Sequence, residues 1–172
     1  MALPDFANDA RLDPRVRRVL PILSRPNPTR DVADREEALA RASTPEAIAA
    51  YELATAASDR VDREQVAPSA GLEMRELQFT SEPDGNTVKI NFIRPEGDEV
   101  VPGVYYIHGG GMMNNSAFDG NYRAWGKLLA ARGLAVAMVD FRNSLVASTA
   151  PEVAPYPAGL DDCVAGLRWV SA

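Results

Sequence analysis

The sequence predicts an α/β fold in which an antiparallel hairpin leads into parallel strands connected by crossover helices. The hairpin is indicated by two strand-like segments on either side of a turn at residues 83–86. Two short apolar runs, residues 104–107 and 134–139, flank a helical pattern, which is typical of parallel strands with a right-handed crossover. Residues 1–70 show helical patterns without strands, so a helical segment precedes the sheet.

The helical segment begins with a helix whose apolar residues form one stripe. The members of this stripe are Leu12, Val16, Val19, Leu20 and Leu23. Pro21 is expected to interrupt the stripe, and Pro26 and Pro28 to end it, because proline cannot donate the main-chain hydrogen bond of a helix interior.

Two further helices are predicted before residue 70. One begins near Asp31. The next begins at Thr44, which can cap it, has Pro45 in its first helical position, and runs towards Arg60. Because these helices are only weakly amphipathic, we expect them to form a mobile cap over another structure rather than a self-sufficient bundle.

The core predicted for residues 71–172 begins with the hairpin. Residues 72–80 form its first strand, and residues 87–92 alternate between apolar and polar side chains, which predicts a half-buried partner. The apolar runs at 104–107 and 134–139 predict two buried strands.

Two helices are expected to cover these strands. The first has a predicted buried face made of Tyr122, Trp125, Leu128 and Leu129. Gly133 is placed to stop it. The second still continues at the end of the sequence and has a predicted apolar face made of Leu160, Val164, Leu167 and Val170.

The most informative motif is His108-Gly109-Gly110-Gly111, which directly follows the apolar run at 104–107. Residues without a Cβ atom can adopt positive φ and let main-chain N–H groups approach a ligand closely. Free N–H groups directed into a cavity can stabilise an oxyanion. This pattern indicates an oxyanion site at the end of the third strand.

The sequence lacks a G-x-S-x-G motif, which in serine hydrolases places the nucleophile on a sharp turn between strand and helix. The segment Ala67–Gly71 imitates the motif around Ser69, but it precedes a predicted strand instead of following one, so we interpret Ser69 as a linker residue. One histidine and one cysteine cannot form a zinc site, and no metal or cofactor is predicted.

Composition restricts the function further. A net charge of −6 and a pI near 4.8 argue against nucleic acid or an anionic membrane as a partner. No apolar stretch could span a bilayer, and residues 1–5 do not resemble a signal peptide. The single cysteine, Cys163, fits a reducing cytoplasm, where we predict the protein to be located.

Charged residues also surround the predicted loop at 141–157. They are Asp140, Arg142, Asp161 and Asp162. We interpret them mainly as charge pairs and caps that hold this loop, with an acid–base role as the alternative.

From His108 onwards the sequence resembles the hormone-sensitive-lipase-like branch of the α/β-hydrolases, and within it the brefeldin A esterase type. Four stretches carry the resemblance, namely residues 106–111, 125–132, 139–143 and 155–163. The resemblance covers residues 72–172 well, and residues 1–70 plausibly correspond to the family's cap.

The resemblance implies a carboxylic-ester hydrolase with a Ser-Asp-His triad, acting on a small-molecule ester. By analogy, the N–H groups of Gly110 and Gly111 are oxyanion donors, and His108 shapes the glycine loop without transferring protons. Gly109, Met112, Met113 and Ser116 are weaker candidates for substrate contact. Core filling is equally compatible with both methionines, and an ordinary loop role is favoured for Ser116.

All three triad residues would follow the segment seen here, so the isolated chain is expected to be inactive. Three hypotheses remain. The chain works with a complementary C-terminal polypeptide or segment, it is an inactive truncated remnant, or it is a binding module for an acyl group or anion. An unpaired apolar edge on the third strand would provide a docking site for the missing segment. A homo-oligomer is also compatible with the resemblance.

Overall fold

The structure, a computed structural model, describes residues 8–23, 31–150 and 152–172. Its elements in chain order are α1 (Pro14–Leu23), α2 (Arg35–Ala42), α3 (Pro45–Asp59), β1 (Leu72–Thr80), β2 (Thr87–Pro95), β3 (Gly103–Ile107), α4 (Gly120–Ala130), β4 (Ala135–Asp140) and α5 (Ala158–Val170). The chain divides into two compact units, of which the first ends at Ala33 and the second runs from Asp34 to Ala172.

Helix α1 lies in the first unit and continues through Pro21 to Leu23. The interruption predicted at Pro21 is therefore wrong, because one missing N–H donor near a helix end does not stop the helix there. Pro26 and Pro28 lie outside the described residues.

Helices α2 and α3 have N-caps that their sequences supply. The Asp34 side chain accepts a hydrogen bond from the Glu37 N–H (2.9 Å), and the Thr44 hydroxyl accepts one from the Ala47 N–H (3.2 Å). Pro45 occupies the start of α3, as predicted. Both helices belong to the same compact unit as the sheet, while the cap role of residues 1–70 stays a prediction.

The four strands form one sheet in the order β1-β2-β4-β3. The hairpin is antiparallel with Leu72 opposite Pro95 and Thr80 opposite Thr87. Strand β4 pairs antiparallel with β2 and parallel with β3, so α4 is the crossover between two parallel strands. The predicted combination of a hairpin and a parallel pair is confirmed.

Alternating residues of β4 point to opposite faces of the sheet, and each face has its own core cluster. One cluster contains Val139 from the strand and Cys163 from α5. The other contains Met138 from the strand and Ala130 from α4. Helices α4 and α5 therefore cover opposite faces, as in a doubly wound sheet.

The predicted faces of these two helices are partly wrong. Tyr122 and Leu129 pack on the core, but the other apolar residues of both predicted faces are exposed, namely Trp125, Leu128, Leu160, Val164, Leu167 and Val170. The helices instead approach the sheet through small residues. A Cβ atom added to Gly126 would lie 2.6 Å from the Met138 methyl group, and one added to Gly166 would overlap the Tyr105 hydroxyl.

Strand β3 was predicted to be buried, but Val104, Tyr105 and Tyr106 are half-buried and Ile107 is 50% exposed. The reason is its position at the edge of the sheet, where β4 is its only strand partner among the described residues. No helix in the described parts of the chain is long and apolar enough to cross a bilayer.

Candidate oxyanion site

The glycine run follows β3 at the end of the strand and closes into a tight turn. The Met113 N–H donates to the Gly110 carbonyl oxygen at 3.0 Å. The two central residues, Gly111 and Met112, have φ angles of 63° and 56°. Positive φ at both central positions is the pattern of a type I′ turn, and it explains why a glycine is needed here. Gly110 is the first residue of the turn and has a φ angle of 121°, a conformation that favours glycine.

This geometry leaves main-chain donors free. Within the described parts of the chain, neither the Gly110 nor the Gly111 N–H donates a hydrogen bond. Both residues are at least partly accessible to solvent. Two adjacent N–H groups without an internal acceptor can bind an oxyanion.

His108 is buried below the glycine loop and fixes its main chain. Its Nδ1–H donates to the Gly109 carbonyl oxygen at 2.8 Å, which leaves Nε2 as the unprotonated nitrogen. The ring stacks on Phe141 with a centroid distance of 4.2 Å. Burial lowers the pKa of His108, against a smaller opposing effect of the Gly109 hydrogen bond and of Asp140, so the imidazole is neutral at pH 7. These contacts agree with a loop-shaping role.

Asp140, at the end of β4, organises the loops on either side of His108. One carboxylate oxygen accepts from the Ser116 hydroxyl (2.7 Å) and the Ala117 N–H (2.8 Å). The other accepts from the N–H (2.9 Å) and the hydroxyl of Thr149. The Ser116 hydroxyl also accepts from the Phe118 N–H at 3.0 Å. Because its donor and acceptor are both used inside the protein, Ser116 is a buried structural residue and not the substrate contact considered from the sequence.

The predicted charge pairing around the loop at 141–157 is present. The Arg142 guanidinium donates to both carboxylate oxygens of Asp162, at 2.9 and 3.0 Å, and to Asp84 at 2.9 Å. Burial acts to raise the pKa of Asp162, but hydrogen bonds, first among them those from Arg142, lower it overall. Asp161 lies in the first turn of α5, where its N–H bonds to the Pro157 carbonyl oxygen.

Two hollows flank the glycine loop. One, of about 230 Å³, has a mainly apolar lining that includes Gly111, Met112, Ala154, Tyr156 and Leu160. The other, of about 250 Å³, is polar and lies between α3 and the segment 114–121. Met112 borders the first hollow and also packs on the core, so its role in substrate contact stays a prediction. Met113 is 46% exposed.

Gly109 has a different role from its two neighbours. Its carbonyl oxygen accepts the His108 hydrogen bond, and a Cβ atom at this position would lie 3.1 Å from the Tyr122 hydroxyl. Close packing therefore accounts for this glycine. Sequence reasoning missed Phe141 and Thr149 as supports of the site. The position of Phe141 between Asp140 and Arg142 could have pointed to it, whereas no local signal marked Thr149, nine residues from Asp140.

Comparison with proteins of known structure gives a consistent picture. Esterase Est22 is 52% identical, with a TM-score of 0.87, over 96% of this chain and 47% of its own. Brefeldin A esterase, a bacterial homologue of human hormone-sensitive lipase, is 30% identical, with a TM-score of 0.71, over 95% of this chain and 44% of its own. The chain thus spans about half the length of these esterases.

Comparison with curated sequences identifies shorter matches. Tuliposide A-converting enzyme b1 of Tulipa gesneriana is 41% identical over 71 residues, which are 41% of this chain and 17% of the tulip protein. Gut esterase 1 of Caenorhabditis elegans is 30% identical over 97 residues, which are 55% of this chain and 17% of the worm protein. No protein-family model matches the chain.

The strand order, the helices on opposite faces of the sheet and the glycine loop after β3 define part of an α/β-hydrolase sheet. Within that class, the chain is a relative of the hormone-sensitive-lipase-like enzymes, which include brefeldin A esterase.

Proposed function

We propose that this chain supplies the oxyanion-binding part of a carboxylic-ester hydrolase of the hormone-sensitive-lipase-like type. The observation that carries this proposal is the pair of free N–H groups on Gly110 and Gly111, at the end of β3 and above the buried His108. The similarity to esterases of known structure supports the reaction class.

In this proposal, the two N–H groups donate to the ester carbonyl oxygen as it gains negative charge. A serine attacks the carbonyl carbon, a histidine takes the serine proton and later gives it to the leaving alcohol, and an aspartate orients the histidine. Because the sequence lacks the G-x-S-x-G motif, these three residues belong to a complementary segment. In this proposal the chain by itself does not hydrolyse esters, because the neutral, buried His108 has no nucleophile to activate.

The structure offers a surface that suits such a segment. The free edge of β3 adjoins an apolar groove of about 600 Å³, whose lining includes Leu77, Phe92, Tyr105, Leu167 and Trp169. A strand on this edge and a helix in this groove would complete a doubly wound sheet. We therefore propose the complementary segment as the principal partner.

The proposal is tested by joining the chain to the part of esterase Est22 that it does not match and measuring p-nitrophenyl butyrate hydrolysis. We expect hydrolysis by the joined protein and none by the chain alone. Turnover by the 172-residue chain alone would contradict the assignment of the nucleophile to another segment.

The oxyanion assignment is tested in the joined protein by Gly110→Ala. The added Cβ would overlap the Asn114 carbonyl oxygen and displace the loop. Loss of one oxyanion donor typically lowers kcat by about 10²–10³-fold. Gly85→Ala is the matched control, because Gly85 also has positive φ (74°) but its Cβ would meet nothing within 4 Å. Equal kcat values for the two variants would overturn the assignment.

A second candidate is a binding module for an acyl group or anion, favoured by free donors in a sequence without the nucleophile motif. Butyrate binding by the chain that Gly110→Ala abolishes, combined with an inactive joined protein, would favour this candidate. Neither binding nor activity would indicate an inactive remnant.

A further inference from the structure

The polar hollow beside the glycine loop contains groups that the proposed hydrolysis does not use. Four residues on one face of α3 line it, and three of them carry hydroxyl groups, namely Tyr51, Thr55 and Ser58, with Ala54 as the fourth. The opposite wall comes from the segment that leads into α4 and includes Asn114, Asp119 and Asn121. The volume of about 250 Å³ is sufficient for a small organic group.

The hollow lies directly beside the candidate oxyanion site. A Cβ atom on Gly110 would be 2.9 Å from Asn114 Oδ1 and 3.0 Å from Asn115 Nδ2. Asn115 Nδ2 in turn lies 3.3 Å from the Gly109 carbonyl oxygen. Asn114 and Asn115 thus line the hollow and also lie next to Gly110.

The lining offers both hydrogen-bond donors and acceptors. Asn121 uses its Oδ1 to accept from Ser58 (2.7 Å), which leaves its NH₂ group available. Asp119 uses Oδ2 to accept from the Ser116 N–H (3.0 Å), which leaves Oδ1 available. Among the described residues, the Asn114 carboxamide makes no hydrogen bond of its own. Burial raises the pKa of Tyr51, against smaller lowering effects of the Asn115 main chain and the Thr55 side chain, so its hydroxyl stays protonated and keeps a proton to donate.

This mixture fits hydroxyl groups, because each hydroxyl donates one hydrogen bond and accepts others. An anionic group is disfavoured, since Asp119 lines the hollow and Asp59 lies near it. An alkyl chain would leave the polar groups without partners, whereas the apolar hollow at Met112 would accept it.

We infer that the hollow between α3 and residues 114–121 is a subsite for a neutral, hydroxyl-bearing part of the ester. This inference rests on the proposed function for the reaction, but the subsite itself is a property of this chain. The hydroxyl groups can belong to the alcohol or to the acyl part of the ester, and the kinetic experiment below distinguishes the two.

The first test measures binding to the 172-residue chain by ¹H–¹⁵N NMR. The probe is 3-propoxypropane-1,2-diol, and dipropyl ether is the matched ligand without hydroxyls. We expect the diol, and not the ether, to shift the side-chain NH₂ signals of Asn114 and Asn121. Unchanged signals with the diol, or equal shifts with the ether, would overturn the inference.

Two isosteric variants locate the effect on α3. Tyr51→Phe and Thr55→Val each remove one hydroxyl, and each is expected to weaken diol binding by about three- to tenfold, the effect of one lost hydrogen bond. Leu53→Ala is the control on the same helix, because Leu53 is 70% exposed and lies off this face. Unchanged diol binding in both isosteric variants would contradict the subsite, and Thr55→Val decides the question if Tyr51→Phe does not fold.

The second test uses the joined protein and the ratio of kcat/KM values for matched esters. Propyl butyrate is compared with 2,3-dihydroxypropyl butyrate for the alcohol arm, and with propyl 3-hydroxybutyrate for the acyl arm. We expect one hydroxylated ester to be preferred, and Tyr51→Phe to lower that preference by about three- to tenfold. A merely structural role of Tyr51 would lower all rates equally and leave the ratio unchanged, which would contradict the inference.

The outcomes also separate the two proposals. Hydrolysis of propyl butyrate without any preference for a hydroxylated ester overturns the subsite and leaves the proposed function intact. Diol binding in the NMR experiment together with an inactive joined protein overturns the proposed function and leaves the hollow as a binding site for hydroxylated groups.

Discussion

His108 shows how a single side chain determines the main-chain geometry of the candidate site. Its Nδ1–H holds the Gly109 carbonyl oxygen, and its ring is enclosed by Phe141 and Tyr122. Its Nε2 lies 4.0 Å from the Asp140 carboxylate and has no hydrogen-bond partner among the described residues. Protonation would therefore put a charge into a buried place without a bonded acceptor, which is unfavourable.

We predict a loss of stability in mild acid that originates from this residue. Burial, outweighing the Gly109 hydrogen bond, lowers the folded-state pKa of His108 below its usual 6.5. A group with a lowered folded pKa contributes stability above its unfolded pKa and loses it as pH falls towards the folded value. The urea midpoint of the chain should therefore be lower at pH 5.5 than at pH 7.5.

His108→Asn provides the control for this prediction, since His108 is the only histidine in the sequence. The variant should be less stable at both pH values but show a smaller difference between them. Asp62 and Asp162 have lowered pKa values, so their contributions are lost only below the usual aspartate value of 3.8. An identical pH difference in the variant would show that another group causes it.

At this scale the sequence predicted the residues whose chemistry depends on the main chain, but not their supports. Three adjacent glycines after an apolar run indicate the candidate oxyanion donors, because only glycine meets the conformational demand at Gly110. The bond between Ser116 and Asp140 spans 24 residues. Such a pairing depends on how β4 and the glycine loop are placed in space, which the local pattern does not contain.

At the scale of elements, α3 is attached to α4 by close packing and by a group of charges. A Cβ atom on Gly120 would overlap the main chain of Asp59, so the two helices touch at this point. Beyond the end of α3, Asp62 accepts from Arg123 (2.7 Å) and pairs with Lys127 (2.5 Å). Burial acts to raise the pKa of Asp62, but its bonds to Lys127 and Arg123 lower it overall.

We predict that Asp62→Asn strongly destabilises the chain. The side chain of Lys127 is only 5% exposed, so removing the carboxylate leaves a buried charge without its partner, at a cost of about 3–5 kcal/mol. Glu76→Gln is the matched control. It breaks the exposed pair with Lys89 (2.8 Å) and should change the free energy of unfolding by about 0–1 kcal/mol. Urea unfolding of both variants measures the difference. Equal changes in the free energy of unfolding would show that the pairing of Lys127 with Asp62 does not stabilise the chain.

The strands and the helices differ in how well their patterns predicted them. The sequence pattern predicted β1 over Leu72–Thr80, the same bounds that the structure shows, because the end of this strand alternates between buried and exposed residues. The faces of α4 and α5 were partly mispredicted because hydrophobic periodicity gives weight to large residues. These helices approach the sheet at Gly126 and Gly166, and a glycine contributes nothing to the hydrophobic periodicity.

At the scale of the molecule, the exposed apolar residues at the end of α5 and the exposed edge of β3 have one explanation. Large apolar side chains on α5, among them Leu167 and Trp169, border the same groove as the edge strand. An apolar groove beside an unpaired parallel strand provides a site for a further layer of structure. The proposed complementary segment would cover both features together.

We predict that Leu167→Glu weakens this association without destabilising the chain. Leu167 is 51% exposed, so its replacement should change the free energy of unfolding by less than about 0.5 kcal/mol. In the groove, however, a glutamate would be taken out of water beside Tyr105 and Ala137 without a cationic partner. Titration of the chain with a separately produced remainder of Est22, followed by calorimetry and by recovery of p-nitrophenyl butyrate hydrolysis, should show at least about tenfold weaker binding.

Val100→Glu is the matched control, because Val100 is fully exposed in a loop and is expected to bind like the unchanged chain. The groove could instead be filled by a second copy of the same chain. Sedimentation of the chain alone tests this alternative, because it shows whether the chain is a monomer or a dimer. If Leu167→Glu converts a dimer into a monomer while leaving binding to the Est22 segment unchanged, the groove joins two copies and the complementary segment docks elsewhere. If Leu167→Glu weakens binding of the segment and leaves the sedimentation of the chain unchanged, the rest of the hydrolase binds in the groove.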